Sequence, residues 1–110
     1  MATLLETLTS VVPAERNIYT AKSKPRQYCT FMRVLEQAAL SADDEEKSTQ
    51  RIWRVTLFSK GDYEATLTAL KTALKVAGYY VNSIDAEQLD EETGYTFIPL
   101  TIEELIESEV

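Results

Sequence analysis

Side chains that commonly perform catalysis are scarce in this chain. Histidine, the commonest general base and a frequent metal ligand, does not occur. The single cysteine, Cys29, lies in an apolar stretch with no histidine to activate it, so we interpret it as a small buried side chain rather than a nucleophile. The three glycines stand apart at positions 61, 78 and 94, which is typical of turns and unlike the clustered glycines that hold phosphate. We therefore predict no catalytic residue, no cofactor and no enzymatic activity.

An acidic run is the only candidate for a metal site. It consists of Asp43, Asp44, Glu45 and Glu46. A calcium loop spaces its oxygen ligands along a turn with a glycine at the bend, whereas these acids are contiguous and no glycine interrupts them. We predict that the run binds no metal and lies in a solvated loop over residues 41–50, because adjacent like charges repel one another in a compact arrangement.

Aromatic side chains are the remaining candidates for a binding surface. A tryptophan and six tyrosines can form a platform for stacked nucleic-acid bases, but such platforms are accompanied by a basic groove, which a chain this acidic lacks. Core packing explains Trp53 and Tyr63 better. Tyr80 and Tyr95 are candidates for exposed positions at a protein–protein interface, where tyrosine is enriched.

Length and charge restrict the class of protein further. The chain has 110 residues, 18 acids, 11 bases and a net charge of −7, which predicts one domain, residues 1–110, with a modest core. The charge opposes binding to phosphate backbones, so we expect a protein partner rather than nucleic acid. The lone cysteine cannot form an intramolecular disulfide, and no run of about 18 apolar residues is present. We expect a soluble protein of a reducing cytosol, not bound to a membrane.

The charges are unevenly distributed along the chain. Residues 16–35 contain five bases and no acid, whereas residues 85–110 contain nine acids and no base. The five bases are Arg16, Lys22, Lys24, Arg26 and Arg33. One interpretation is a chance distribution over solvated faces; the other is that the two regions meet across a subunit boundary.

The first third of the chain predicts a helix and a strand. An apolar stripe over residues 3–12 favours a short helix that Pro13 ends. Residues 17–20 are a possible short strand. In residues 27–35 apolar side chains occur at both odd and even positions, which predicts a central strand covered on both faces. A helix over residues 31–39 is the alternative, because no helix breaker lies there.

The middle of the chain carries the clearest pattern. Residues 51–59 predict a strand with Trp53, Val55 and Leu57 facing the core. Asp62 is placed to cap a helix over residues 63–77, whose leucines should pack on that strand face. Gly78 is suited to the left-handed position that ends a helix.

The last third predicts a second pair of strands. Residues 79–84 and 95–102 read as strands joined by an acidic turn over residues 89–94. Pro99 lacks an N–H and suggests a sheet edge or a bulge, and the acidic tail, residues 103–110, suggests a short helix or a frayed end. Together these patterns predict an α+β fold: a mostly antiparallel sheet of about four strands, an N-terminal helix, and one central amphipathic helix packed on the sheet.

Five segments, in order, resemble the tail-completion proteins of long-tailed phages and prophages, also called tail terminators or head–tail joining proteins. They are the apolar strand 28–35, the loop Ala42-Asp43-Asp44-Glu45, the strand and turn 53–63, the helix 63–79 that closes in Gly-Tyr, and the turn Glu91-Glu92-Thr93-Gly94-Tyr95. Each motif is weak alone; their order and spacing carry the resemblance over residues 26–102. The sequence departs from the family pattern at Ile98-Pro99 and in residues 103–110.

The resemblance implies a structural phage protein. It would form a ring, expected to be a hexamer, that caps the tail tube and stops its growth, with the major tail tube protein and a head connector or neck protein as partners. It would assemble in the bacterial cytoplasm and remain in the virion. The interface candidates are Lys22, Lys24, Arg26, Asp43, Asp44, Glu45, Glu46, Tyr80, Asp90, Glu91, Glu92 and Tyr95. The alternatives are another phage neck or minor tail component, or a small cytosolic adaptor.

Overall fold

A computed structural model of the chain describes residues 3–19, 24–38 and 48–107. Its elements, in chain order, are α1 (Leu4–Thr9), β1 (Ala14–Arg16), β2 (Gln27–Ala38), β3 (Ser48–Ser59), α2 (Glu64–Val76), β4 (Tyr80–Ile84), β5 (Gln88–Leu89) and β6 (Thr96–Glu107).

All the strands belong to one sheet with the order β1-β2-β3-β6-β4, and β5 pairs with β6 beyond the end of β4. β1 runs parallel to β2, and every other pair is antiparallel. The prediction of a mostly antiparallel sheet of about four strands is therefore wrong, because the sheet is mixed and has six strands. The two unforeseen strands, β1 and β5, are only three and two residues long, too short to show alternation in sequence.

The N-terminal region differs from the prediction in its details. The predicted helix exists, with Thr3 and Glu6 forming a reciprocal capping box, but it ends at Thr9 rather than continuing to residue 12. The strand predicted over residues 17–20 is wrong. Asn17 has a φ of 69°, a left-handed conformation that breaks an extended chain, so the strand lies earlier, at Ala14–Arg16.

Helix α2 follows the predicted pattern closely. Asp62 Oδ1 accepts a hydrogen bond from the Glu64 backbone N–H at 3.0 Å, although the N-cap itself is Tyr63. Leu70 and Leu74 are fully buried. Gly78 has a φ of 96°, which confirms the left-handed residue beyond the helix end.

The core lies between the two helices and one face of the sheet. The predicted inward alternation of β3 is confirmed, since Val55 and Leu57 are fully buried and Trp53 is nearly so. These side chains form one cluster with Leu70 and Leu74 of α2, as the sequence predicts. The same cluster includes Leu4 and Leu8 of α1, Cys29 and Phe31 of β2, and Ile98, Leu100 and Ile102 of β6.

Pro99 lies in an interior strand and not at the sheet edge that the sequence suggests. It pairs with Thr56 of β3, and its carbonyl accepts a hydrogen bond from the Asp85 N–H at 2.8 Å on the other side. The N–H and C=O of a strand residue point to the same side. An N–H at position 99 would therefore point away from β3, into the gap between the end of β4 and the start of β5. Proline, which lacks this N–H, thus costs the sheet no hydrogen bond there.

Three strands continue beyond the helices and form a projection that we call the arm: residues 32–38 of β2, 48–52 of β3 and 103–107 of β6. The alternative of a helix over residues 31–39 is therefore wrong, as is a helix or frayed end at residues 103–107. Residues 48–50 belong to β3 rather than to the predicted acidic loop, and residues 41–47 lie outside the described part of the chain. The molecule measures 52 × 24 × 24 Å.

Candidate interaction surface

The sheet face opposite the helices is the most unusual surface of the molecule. Because residues alternate between faces and cross-strand partners share a face, the pairing of β2, β3 and β6 places five rows of side chains there. We call this surface the open face. Its rows are Tyr28–Phe58–Phe97, Thr30–Thr56–Pro99, Met32–Arg54–Thr101, Leu35–Ile52–Glu103 and Gln37–Gln50–Leu105.

Within the described ranges, Leu4 and Leu8 of α1 and Leu70 and Leu74 of α2 are buried in the core on the other side of the sheet, and no helix covers the open face. Only two of its fifteen side chains, Arg54 and Glu103, are charged. Arg54 Nη1 lies 2.7 Å from Asp85 Oδ2, so its charge is partly compensated. The open face is therefore largely apolar or neutral along its whole length.

Aromatic rings close one end of the open face, which we call the aromatic end. The Tyr28 ring stacks on Phe58 with centroids 4.6 Å apart and meets Tyr95 edge-on at 5.3 Å. The centroid of the Tyr19 ring lies 4.6 Å from that of the Tyr28 ring. A shallow cavity of about 320 Å³ opens among these rings. Burial, followed by the neighbouring Tyr95 and Tyr19 hydroxyls, raises the pKa of Tyr28, so its hydroxyl stays neutral at physiological pH.

The arm exposes apolar side chains. Val34 and Leu105 are 56% and 59% exposed, and Met32 and Leu35 are also exposed. Val34 is the extra residue of a β-bulge, since the register with β3 shifts between Arg33 and Leu35. The prediction that residues 27–35 form a central strand covered on both faces is therefore wrong beyond Phe31. The side chains there are exposed, and the strand is no longer central, because β1 pairs only with Cys29–Phe31 and ends before the arm begins.

The helix side of the arm carries a charged network instead of a core. Glu36 contacts both Arg33 and Arg51, and Arg51 also lies 3.8 Å from Glu104. The Trp53 indole N–H donates to Glu104 Oε1 at 3.2 Å. The network begins where α1 and α2 no longer cover the sheet, so charged side chains replace apolar ones on the same face.

Tyr79 borders this network. Burial, then the charge of Glu104 and a hydrogen bond to it, raises the pKa of Tyr79 to about 12, and Arg51 opposes the shift. The Tyr79 hydroxyl is therefore neutral and acts as a hydrogen-bond donor to Glu104.

The predicted interface residues lie in different parts of the molecule. Lys24 and Arg26 lie at the aromatic end, where Arg26 Nη2 donates to the Lys60 carbonyl at 2.8 Å. Tyr80 is 67% exposed, in agreement with its predicted exposure. The remaining basic and acidic loop candidates, Lys22, Asp43, Asp44, Glu45 and Glu46, lie outside the described residues.

Tyr95 contradicts its prediction as an exposed residue. Its side chain is only 7% exposed, and its hydroxyl donates to the Pro25 carbonyl at 2.6 Å. Lys60 Nζ lies 4.8 Å from the centre of its ring, a cation–π contact. Tyr95 therefore joins the N-terminal end of β6 to the segment before β2 and stabilises the aromatic end.

The acidic C-terminal region does not form a single patch. Asp90, Glu91 and Glu92 lie in the turn that precedes β6, whereas Glu103 and Glu104 lie on the arm. About 35 Å separates the two ends of this 12-residue strand. Lys24 and Arg26 lie near the acidic turn, because Tyr95 links that turn to Pro25. The sequence predicted none of this spatial arrangement.

Cys29 is fully buried, as predicted, and burial raises the pKa of its thiol to about 12. In the described ranges, no three Cys, Asp or Glu side chains are grouped so that they could hold a metal ion. No helix in that same part of the chain is long and apolar enough to span a membrane.

No protein-family model matches the chain, and no curated protein is significantly similar to it in sequence. The open face, the arm and the resemblance of the motifs are the features of this chain that bear on function.

The open face is a candidate interaction surface that the sequence patterns did not identify. Its signal was present in β2, where Tyr28, Met32 and Val34 are apolar at even positions and Cys29, Phe31 and Leu35 at odd positions. That pattern indicates burial on both faces. Within the described chain both faces of β2 are covered at Tyr28, whereas Met32 and Leu35 are exposed, so the sequence pattern beyond Phe31 is consistent with a cover supplied by a second chain.

Proposed function

We propose that this protein is a structural subunit of a phage tail-completion ring, which caps the tail tube and joins the tail to the head. The observation that supports the proposal best is the open face, a largely apolar sheet surface that continues into an apolar arm. The order of the sequence motifs supports the choice of this family. The function requires no catalytic residue, because capping and docking depend on the shape and charge of subunit surfaces.

The composition of the open face favours burial in an assembly. An antiparallel sheet with one solvated face normally carries polar side chains there. Here that face carries Tyr28, Phe58, Phe97 and Pro99 at one end and Leu35, Ile52 and Leu105 at the other. Three strands of 12 residues present roughly 40 by 14 Å, and an arm with about five to seven residues in each strand covers about half of that surface.

The occupant that we assign to the open face is the arm of a second copy of this chain. The arm has exposed apolar side chains, among them Val34 and Leu105, and it extends past the helices into solvent. Contact between an arm and the aromatic end of the next copy's open face joins two different ends of that surface. Such a contact is heterologous, and it closes into a ring when the rotation between neighbours divides the full circle.

The subunit contact can be tested with two lysines in the arm. We expect Val34→Lys with Leu35→Lys to fold normally, because both side chains are exposed, and to abolish self-association, because burying two ammonium groups in an apolar contact is costly. The measurement is sedimentation velocity over a range of concentrations, with electron microscopy of the assembled species. The matched control is Val76→Lys on α2, where an 83% exposed apolar side chain lies away from the open face and the arm.

Capping of tail tubes tests the biological role directly. Tubes polymerised from the major tail protein encoded beside this gene should stop growing when the protein is added, and electron micrographs should show density at one tube end. The Val34→Lys, Leu35→Lys variant should not stop growth. Tubes that lengthen equally with and without the wild-type protein, or flanking genes that encode no phage structural proteins, would contradict the proposal and favour a cytosolic adaptor.

A further inference from the structure

A cavity of about 540 Å³ lies at the base of the arm on the helix side of the sheet. Its walls include the α1 residue Leu5, the aromatic rings of Trp53 and Tyr79, two arginines, Arg16 and Arg51, and the acidic Glu104. Trp53 and Tyr79 are largely buried, whereas Leu5 and Arg16 are exposed at the mouth. The cavity is thus apolar inside. Arg51 in its wall is paired with Glu104, and Arg16 places a positive charge at its mouth.

The arginines are held by the cavity walls. The Arg16 guanidinium lies 5.3 Å from the centre of the Trp53 ring, a stacked position that leaves the edges of the guanidinium available as hydrogen-bond donors. Arg51 is oriented by Glu36 and Glu104. A guanidinium held in place binds a carboxylate with little loss of conformational entropy, and the fork of N–H groups matches the two carboxylate oxygens.

We propose that this cavity binds the acidic turn, Asp90, Glu91 and Glu92, of a second copy of the chain. This inference rests on the proposed self-association and assigns one of its contacts. The turn and the cavity cannot meet within one molecule, because β6 separates Tyr95 from Ile102, the partner of Trp53, by about 24 Å of rigid strand. The contact therefore joins different surfaces of two copies.

The turn is preorganised for such a contact. The Gly94 N–H donates to the Asp90 carbonyl at 2.8 Å, and the Asp90 N–H donates to the Tyr95 carbonyl at 2.8 Å. Asp90 Oδ1 accepts from the Glu92 N–H at 3.1 Å. Glu91 and Glu92 are exposed at the tip. A closed turn with two exposed carboxylates inserts without an ordering cost in its backbone, and their charge complements Arg16 at the mouth of the cavity.

The acidic turn lies at the aromatic end of the open face. The cavity lies at the base of the arm, on the helix side of the sheet. The contact between turn and cavity is therefore separate from the contact between arm and open face, and its charges set the orientation of the subunits.

A charge-swap experiment tests the inference. Arg16→Glu should weaken self-association by about tenfold or more, and so should Glu91→Lys with Glu92→Lys, since each places like charges together. An equimolar mixture of the two variants should recover association, because either turn then faces a cavity rim of opposite charge. Sedimentation velocity at low and high salt measures each case. Lys71→Glu on the exposed side of α2 controls for the change in net charge of Arg16→Glu.

The outcomes separate this inference from the proposed function. If both variants associate like the wild type while Val34→Lys with Leu35→Lys abolishes association, the ring stands and the charged contact is wrong. If Arg16→Glu and the Glu91→Lys, Glu92→Lys variant each associate weakly and their mixture does not recover association, the pairing of turn and cavity is also wrong. A wild-type chain that stays monomeric at high concentration, with and without tail tubes, overturns both. The turn variant serves as an independent test should Arg16→Glu fail to fold, because Glu91 and Glu92 are exposed.

Discussion

Leu70 is the residue on which the packing of α2 depends most directly. It is fully buried in the cluster that contains Val55 and Leu57, so Leu70→Ala removes apolar contacts and leaves a cavity. We expect a loss of about 2–5 kcal/mol in the free energy of unfolding, measured by urea denaturation. Val76→Ala, at an exposed position of the same helix, should change it by less than about 0.5 kcal/mol. Equal effects of the two substitutions would contradict the packing described here.

Two buried groups that ionise at alkaline pH, the Cys29 thiol and the Tyr79 hydroxyl, make the stability of the fold depend on pH. Burial raises the pKa of Cys29 from 9.0 to about 12, and burial with Glu104 raises that of Tyr79 from 10.0 to about 12. The folded state holds both groups neutral, so unfolding releases protons above about pH 9. The contribution of these two groups to the free energy of unfolding should therefore be complete well below pH 9 and should be lost as the pH rises from about 9 toward 12.

Urea denaturation between pH 8 and pH 11 measures this dependence. The double variant Cys29→Ala, Tyr79→Phe removes both titrating groups, so its free energy of unfolding should fall less steeply with pH than that of the wild type. Parallel pH profiles for the two proteins would show that neither group is held neutral by the fold.

At the scale of the elements, the end of α2 depends on the backbone of one residue. Gly78 has a φ of 96°, and the turn that it forms leads directly into Tyr79 and β4. Gly78→Ala places a Cβ in the left-handed region, which costs about 1–2 kcal/mol. Gly78→Asn should cost less, since asparagine tolerates that conformation. Thermal melting of the two variants and the wild type checks this order, and an alanine variant as stable as the wild type would contradict it.

The arm is the element that gives the whole molecule its shape. The radius of gyration is 15.4 Å, whereas a compact chain of this length should have one of about 13 Å. Small-angle X-ray scattering at a concentration where the protein is monomeric should therefore give a radius clearly above 13 Å and an elongated distance distribution. A radius at or below 13 Å would indicate that the arm folds back on the body, and an arm in that position could not reach a second copy.

Local patterns in the sequence were sufficient to predict α2, β3 with its inward face, and the strand over residues 95–102 that forms most of β6. Each of these elements shows a clear period: the spacing of Leu70 and Leu74, the alternation of Trp53, Val55 and Leu57, and that of Ile98, Leu100 and Ile102. The burial of Cys29 followed from the same reasoning. These features depend on which side of one element faces apolar surroundings, and a periodic sequence records that directly.

Long-range pairing decided the rest. The sequence of β1 is too short for a pattern, and its place in the sheet comes from parallel pairing with Cys29–Phe31. Tyr95 is buried because the fold brings Pro25 within 2.6 Å of its hydroxyl. Apolar residues at both odd and even positions in β2 predicted burial on two faces, but only the tertiary structure shows that the helices cover one of them. The open face, the arm and the Arg16 cavity therefore could not be read from the sequence, because each is formed by strands and helices distant in the chain.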